Sequence, residues 1–158
     1  ASKTIALHSR IYAAAAQVPA TAGTRCVIHT HSTHCVALTL DDGDAAAGGE
    51  LLPPLTPYFV MKVGRVPRIA YERAGAPEAA EAVAQAIARY GERGTPIRAV
   101  MLERLGPNVW HDSPAAAMAV LEELEETARL WWMSRARAPI PLSESRIDEL
   151  RRQFGAHW

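Results

Sequence analysis

The stretch Cys26-Val27-Ile28-His29-Thr30-His31-Ser32-Thr33-His34-Cys35 holds three of the chain's six histidines, behind a short β-branched run. In an extended strand side chains alternate between faces, so His29 and His31 project to one side and Ile28 and Thr30 to the other. With ~3.4 Å of rise per residue, two such imidazoles stand about 7 Å apart and can converge on one cation. Neutral imidazole is the commonest protein ligand for zinc-like metals. If the chain turns helical after His31, His34 falls one turn further on and supports the site from its rim. A pair of histidines at alternate positions also suits a solvated strand, because two ligands alone do not hold zinc. Cys26 and Cys35 flank the motif without metal-ligand spacing and read as packed free thiols.

The elements that must position these residues follow from periodicity and punctuation. Ile5 to Gln17 carries Ile5, Leu7, Ile11 and Tyr12 among alanines, a helix with one packed face and Ser2 as its cap. Pro19 and the Ala20 to Gly23 segment end it, and Arg25 to His31 follows as a buried strand. Val36 to Leu40 can continue as a short helix from His34. Asp41 to Gly49 reads as a flexible surface loop. Thr56-Pro57 opens a short helix over Tyr58 to Val63, closed by Gly64. Val66 to Tyr71 is a strand with Pro67 at its edge.

Pro77 to Tyr90 forms an amphipathic helix on Ala80, Val83, Ala84 and Ile87, with Glu78 and Glu81 at its positive end. Ile97 to Leu102 is another buried strand, and Gly106-Pro107-Asn108 a turn into a partner strand at Val109-Trp110. Ser113-Pro114 caps a long helix to about Arg137, with Met118, Leu121, Leu124, Ala128 and Trp132 on its core stripe. Glu122, Glu123, Glu125 and Glu126 read as its solvated face, and Trp131-Trp132 as packing. Pro139 and Pro141 precede a last helix from Ser143 to Phe154. Strands alternating with helices predict one layered α/β domain over residues 1–158.

Composition narrows the function classes. The chain has 158 residues, enough for one domain with a sizeable core. Seventeen basic and seventeen acidic side chains balance, so no global field draws it to nucleic acid or an acidic membrane. No apolar run reaches bilayer-spanning length and no signal-peptide pattern opens the chain. Two cysteines make no disulfide framework, which sets the expectation of a reducing cytoplasm. The chain starts at Ala1-Ser2-Lys3 without an initiator Met and with a helical pattern almost at once, so further residues are expected upstream.

Several motifs in order resemble the class II aldolase/adducin head family. They are Ser2-Lys3, Leu7-His8, Tyr12, the His29 to His34 run, Pro54-Leu55-Thr56-Pro57-Tyr58, Met61-Lys62-Val63-Gly64, Ala99-Val100-Met101-Leu102 and Gly106-Pro107. The run Glu122 to Ala128 and Leu150-Arg151-Arg152-Gln153-Phe154 are similar to the branch that decarboxylates 3-oxo-tetronate 4-phosphates. The resemblance implies a three-layer α/β/α fold with a central mixed, mostly antiparallel sheet, lacking its N-terminal part relative to the family. It implies a homotetramer with active sites between subunits, and a phosphorylated sugar acid as substrate. It also implies a divalent metal, usually Zn2+, held by an H-x-H pair and a third His, with a Glu as acid/base. His29 and His31 match the pair, Ser2 and Lys3 the substrate-phosphate turn, and Tyr58 a tyrosine that serves a neighbouring subunit's site.

Two positions depart from the family pattern. Thr4 stands where the family's Glu follows Ser-Lys, and Leu105 stands where the third His precedes Gly-Pro. Loss of carbon dioxide from a 3-oxo acid leaves an enediolate, which a cation stabilises and an acid protonates. Leu105 cannot donate to a cation, and Thr4 cannot act as an acid near neutral pH; His34 or His111 would have to substitute as ligand. Two expectations therefore stand side by side. One is a metal-dependent carbon–carbon lyase; the other is a catalytically degenerate, adducin-like member with a structural or interaction role.

Overall fold

β3 (Ala99–Leu102) is apolar at every position and buried throughout, the pattern of a strand covered on both faces. Alternation sends Ala99 and Met101 to one face of the sheet and Val100 and Leu102 to the other. In the computed structural model, which describes residues 2–41 and 48–158, that rule organises the whole fold. Most of the loop expected over Asp41 to Gly49 lies outside the described residues.

The sheet has the order β1-β4-β3-β2, with β1 (Cys26–His29), β2 (Arg68–Ile69) and β4 (Gly106–His111) around β3. β4 pairs antiparallel with both β1 and β3, and β2 pairs parallel with β3. The sheet is mixed and mostly antiparallel, as expected. Helices α1 (Ile5–Ala15) and α3 (Pro77–Glu92) cover one face, where Leu7, Ile11, Val83 and Ile87 pack on Val100 and Trp110. The other face carries α2 (Thr33–Ala37), α4 (Pro114–Ser134), α5 (Glu144–Phe154) and a π-helical turn over Phe59–Val63. Each fully buried Ile or Leu contributes roughly 1.5–3 kcal/mol of hydrophobic stabilisation. This is the three-layer α/β/α arrangement.

Several local expectations need correction. Thr4, not Ser2, occupies the N-cap of α1, while the Ser2 hydroxyl accepts from the Thr4 N–H at 3.3 Å outside the helix. Ile5 and Tyr12 are exposed, because the packed stripe runs through Leu7, Ile11 and Ala15 at four-residue spacing. On α4 the stripe runs through Ala117, Val120, Leu121, Leu124, Thr127 and Ala128, which leaves Met118 on the solvent side. The Ser113 side chain does cap α4, accepting from the Ala116 N–H at 3.2 Å. Glu125 is not simply solvated: it accepts from the His34 and Cys35 backbone N–H groups at 3.0 and 3.2 Å and so caps α2.

The strands are shorter than expected. β1 is half-buried and ends at His29, and β2 keeps only two residues of Val66 to Tyr71. The turn lies at Glu103–Leu105, with Gly106, Pro107 and Asn108 already in β4. Pro107 is tolerated there because its carbonyl, rather than an N–H, makes the contact, accepting from the Thr30 N–H at 3.4 Å.

Candidate active site

Where β1 ends, the chain bends through Thr30 and His31 into α2, whose N-cap is Ser32. The His29 and His31 rings stand edge to face with centroids 5.2 Å apart. Both line a cavity of about 220 Å3 at the α1/α3 side of the sheet. His29 Nδ1 lies 3.0 Å from the Pro107 carbonyl oxygen. A carbonyl only accepts, so Nδ1 carries the proton and Nε2 keeps its lone pair. Burial lowers the His29 pKa below the ordinary 6.5; the Pro107 contact opposes this, and the nearby His31 and His8 add to the lowering.

The opposite wall is the β3–β4 turn. Arg104 takes a left-handed conformation, φ 62°, with its N–H donating to the buried Thr39 hydroxyl at 3.0 Å. Gly106 follows at φ 129°, and a β-carbon there would sit 1.9 Å from the Thr30 oxygen. Only glycine lets the turn close on the His29–His31 bend. That closure brings Leu105 into the cavity lining. Lys3 and Thr4 enter from the start of α1, and Arg73 from the β2–α3 loop. Ala6, Leu7, Ala79 and Leu102 contribute apolar lining.

The structure therefore brings together Lys3, Thr4, His29, His31 and Leu105. Ser2 is exposed beside them, its hydroxyl 2.7 Å from that of Thr4. Tyr58 is not among the residues lining this cavity. It precedes the π-helical turn, which packs on the α4 face of the sheet, and is 58% exposed with the Lys62 ammonium 5.3 Å over its ring. His34 turns toward α4, with Nδ1 2.7 Å from Glu125 Oε1, and His111 pairs with Asp112 at 2.8 Å. Neither lines the cavity. Burial raises the Cys35 thiol pKa strongly and Glu125 adds to the effect, so this thiol is no nucleophile.

Sequence reasoning missed two neighbours of the pair. His8 Nε2 lies 3.2 Å from Asn108 Oδ1, and Asn108 is fully buried opposite His29 in the β1–β4 register. Burial lowers the His8 pKa as well, against the pull of Asn108. Its place one turn after Thr4 was the available signal. Arg73 had no motif around it; only the Ala74-Gly75 turn marks the loop.

The donor set does not fit a catalytic zinc ion. Among the described residues no group of three or more His, Cys, Asp or Glu side chains could hold a metal ion. A catalytic zinc normally has three protein ligands and one open position. Beside the two imidazoles, this cavity presents the alkyl group of Leu105 and the neutral hydroxyl of Thr4.

A three-layer α/β/α domain with paired imidazoles at one end of its sheet defines a class, and comparison names it. Residues 1–132 match the Class II Aldolase and Adducin N-terminal domain, and the chain belongs to that family. It is 45% identical over 163 residues to the 3-oxo-tetronate 4-phosphate decarboxylase of Cupriavidus necator, covering 99% of this chain and 67% of the relative. The Escherichia coli K12 protein of the same name is 35% identical, over 80% of this chain and 56% of its own length. The crystal structure of YgbL from Klebsiella pneumoniae superposes with a TM-score of 0.74 at 33% identity, covering 95% of this chain and 65% of that one. An L-fuculose 1-phosphate aldolase shares the fold at a TM-score of 0.70 and 21% identity, over 98% of this chain and 64% of that one. The chain thus spans about two thirds or less of these proteins. No helix among the described residues is long and apolar enough to cross a membrane.

Proposed function

We propose that the cavity beside His29 and His31 is the substrate site of a carbon–carbon lyase acting on a phosphorylated 3-oxo sugar acid. The observation that carries this reading is the pairing of the two imidazoles, 5.2 Å apart, in a cavity that also takes Lys3. The 45% identity to a decarboxylase of 3-oxo-tetronate 4-phosphate supports the substrate class. In the reaction, the bond from the carboxyl carbon to carbon 2 breaks, carbon dioxide leaves, and the enediolate takes a proton at carbon 2. Lys3 contributes positive charge for the phosphate, and Ser2 a hydroxyl beside it. Neutral His29, fixed through Nδ1, offers Nε2 as an acceptor for a substrate hydroxyl.

Metal dependence belongs to the family expectation, but the residues of this cavity do not supply a third donor. Thr4 in place of a carboxylic acid removes the proton donor, a loss worth ~10²–10⁴-fold in rate. Thr4 and Leu105 favour a second reading, in which the chain keeps the fold and the pocket without turnover. Assay of carbon dioxide release from 3-oxo-tetronate 4-phosphate, beside the Cupriavidus necator relative, separates the readings. The lyase reading expects release slowed by ~10²-fold or more; substrate binding with no release supports the second reading, and neither binding nor release contradicts both.

We also propose that the chain assembles as a homotetramer in the cytoplasm. The outer strand β1 leaves an open sheet edge among the described residues, whereas β2 is covered by Gly48 to Leu51, and Met133, Ile140 and Phe154 are exposed apolar side chains. Such surfaces invite a partner, here further copies in a tetramer to which Tyr58 contributes across subunits. Light scattering at micromolar concentration tests this, and a monodisperse monomer contradicts it. The two free cysteines suit a cytoplasmic protein.

A further inference from the structure

We infer that Arg73 is the second charge anchor of this cavity, holding the carboxylate of a doubly anionic substrate while Lys3 holds its phosphate. The inference rests on reading the cavity as the substrate site. Its lining contains the two cations Lys3 and Arg73 and the two imidazoles, and no aspartate or glutamate. A lining of that sign attracts an anion and disfavours a bare divalent cation.

The two cations share one rim because of Gly75. At φ 85° that residue turns the β2–α3 loop against the start of α1, with an added β-carbon 3.4 Å from Lys3 Cβ and 3.5 Å from the Lys3 oxygen. The Ala76 N–H donates to the Arg73 carbonyl at 3.0 Å, closing the turn on itself. Neither Lys3 nor Arg73 forms an ion pair or side-chain hydrogen bond with any described residue. Arg68 and Arg65, by contrast, are taken up by Glu103 and Glu50. Arginine's planar fork matches a carboxylate in two parallel hydrogen bonds, whereas lysine acts as a point charge suited to phosphate. The volume of about 220 Å3 lies below the roughly 300–1,000 Å3 of drug-sized pockets and suits a small metabolite.

With both anionic ends held by the chain's own cations, ligand binding needs no metal. The test is calorimetry on the full chain in EDTA, with a tetronate 4-phosphate lacking the 3-oxo group and the matching tetritol 4-phosphate lacking the carboxylate. The acid binds about tenfold or more tighter than the alcohol, the range expected of a charge-assisted hydrogen-bonded pair. Arg73→Gln removes that preference and leaves alcohol binding unchanged, Arg73→Lys restores part of it, and Lys3→Gln weakens both ligands alike. Arg73→Gln weakening both ligands equally, or neither, overturns the assignment while leaving the substrate site in place. Binding that appears only when zinc is added overturns it too. A wild-type chain that binds neither ligand, with or without zinc, instead removes the substrate-site reading, and the role of Arg73 falls with it.

Discussion

Gly106 presses against Thr30 so closely that a β-carbon on it would lie 1.9 Å from the Thr30 carbonyl oxygen. This contact joins the β3–β4 turn, which carries Leu105, to the bend that carries His29 and His31. Gly106→Ala meets both a backbone clash and the strain of φ 129°. It should cost about 3 kcal/mol or more, a fall of roughly 6–12 °C in Tm for a chain of this size. Thermal denaturation checks this, and a Tm within about 2 °C of wild type contradicts the close approach.

The same turn is tied to β2 by a buried ion pair. Arg68 donates from Nε to Glu103 Oε1 at 2.5 Å and from Nη2 to Oε2 at 3.1 Å, with both side chains buried. Removing one partner strands the other charge away from water, at a cost of about 3–5 kcal/mol. Glu103→Gln should therefore lower the urea midpoint strongly, and Arg68→Met with Glu103→Leu should recover much of the loss. Equal losses in the single and double variants would contradict a penalty from the stranded charge.

Glu125 gives the fold a pH dependence of known sign. Burial alone would raise its pKa, but the backbone and side-chain donors of His34 and Cys35 together outweigh it, and the carboxyl titrates below the ordinary 4.5. A depressed carboxylate contributes stability that is complete above its unfolded value and lost as pH falls through the folded one. Wild type should thus lose stability below about pH 4.5 more steeply than Glu125→Gln. Tm measured between about pH 3 and 7 decides; parallel curves would mean that this carboxylate does not cap α2.

Much of this was legible in the sequence because local rules agreed with the fold. The buried run at Ala99–Leu102, the stripe of α3 and the Ser113 cap all follow from period and capping chemistry. The His29–His31 pair survived the end of its strand, because the bend keeps both rings on one side. What failed depended on tertiary partners. Met118 lies at a plausible core spacing, but the sheet meets α4 along Ala117, Val120 and Leu124. Glu125 looks like its solvated neighbours until α2 is placed over it. Arg73 has no local signature, since only the Gly75 turn and the position of Lys3 bring it to the cavity.

We propose that Thr4 and Leu105, which line one cavity with His29 and His31, stand where a metal site would need its remaining donors. Zinc titration by calorimetry of the wild-type chain, Leu105→His and Thr4→Glu/Leu105→His tests it most directly. Two imidazoles leave most of the coordination sphere to water, so wild type should bind zinc weakly. Leu105→His should tighten binding strongly by completing a three-nitrogen set, and the double variant should also release carbon dioxide from 3-oxo-tetronate 4-phosphate. Equal zinc affinity in wild type and Leu105→His would contradict the claim, because another ligand would then already complete the site or Leu105 would not face the metal.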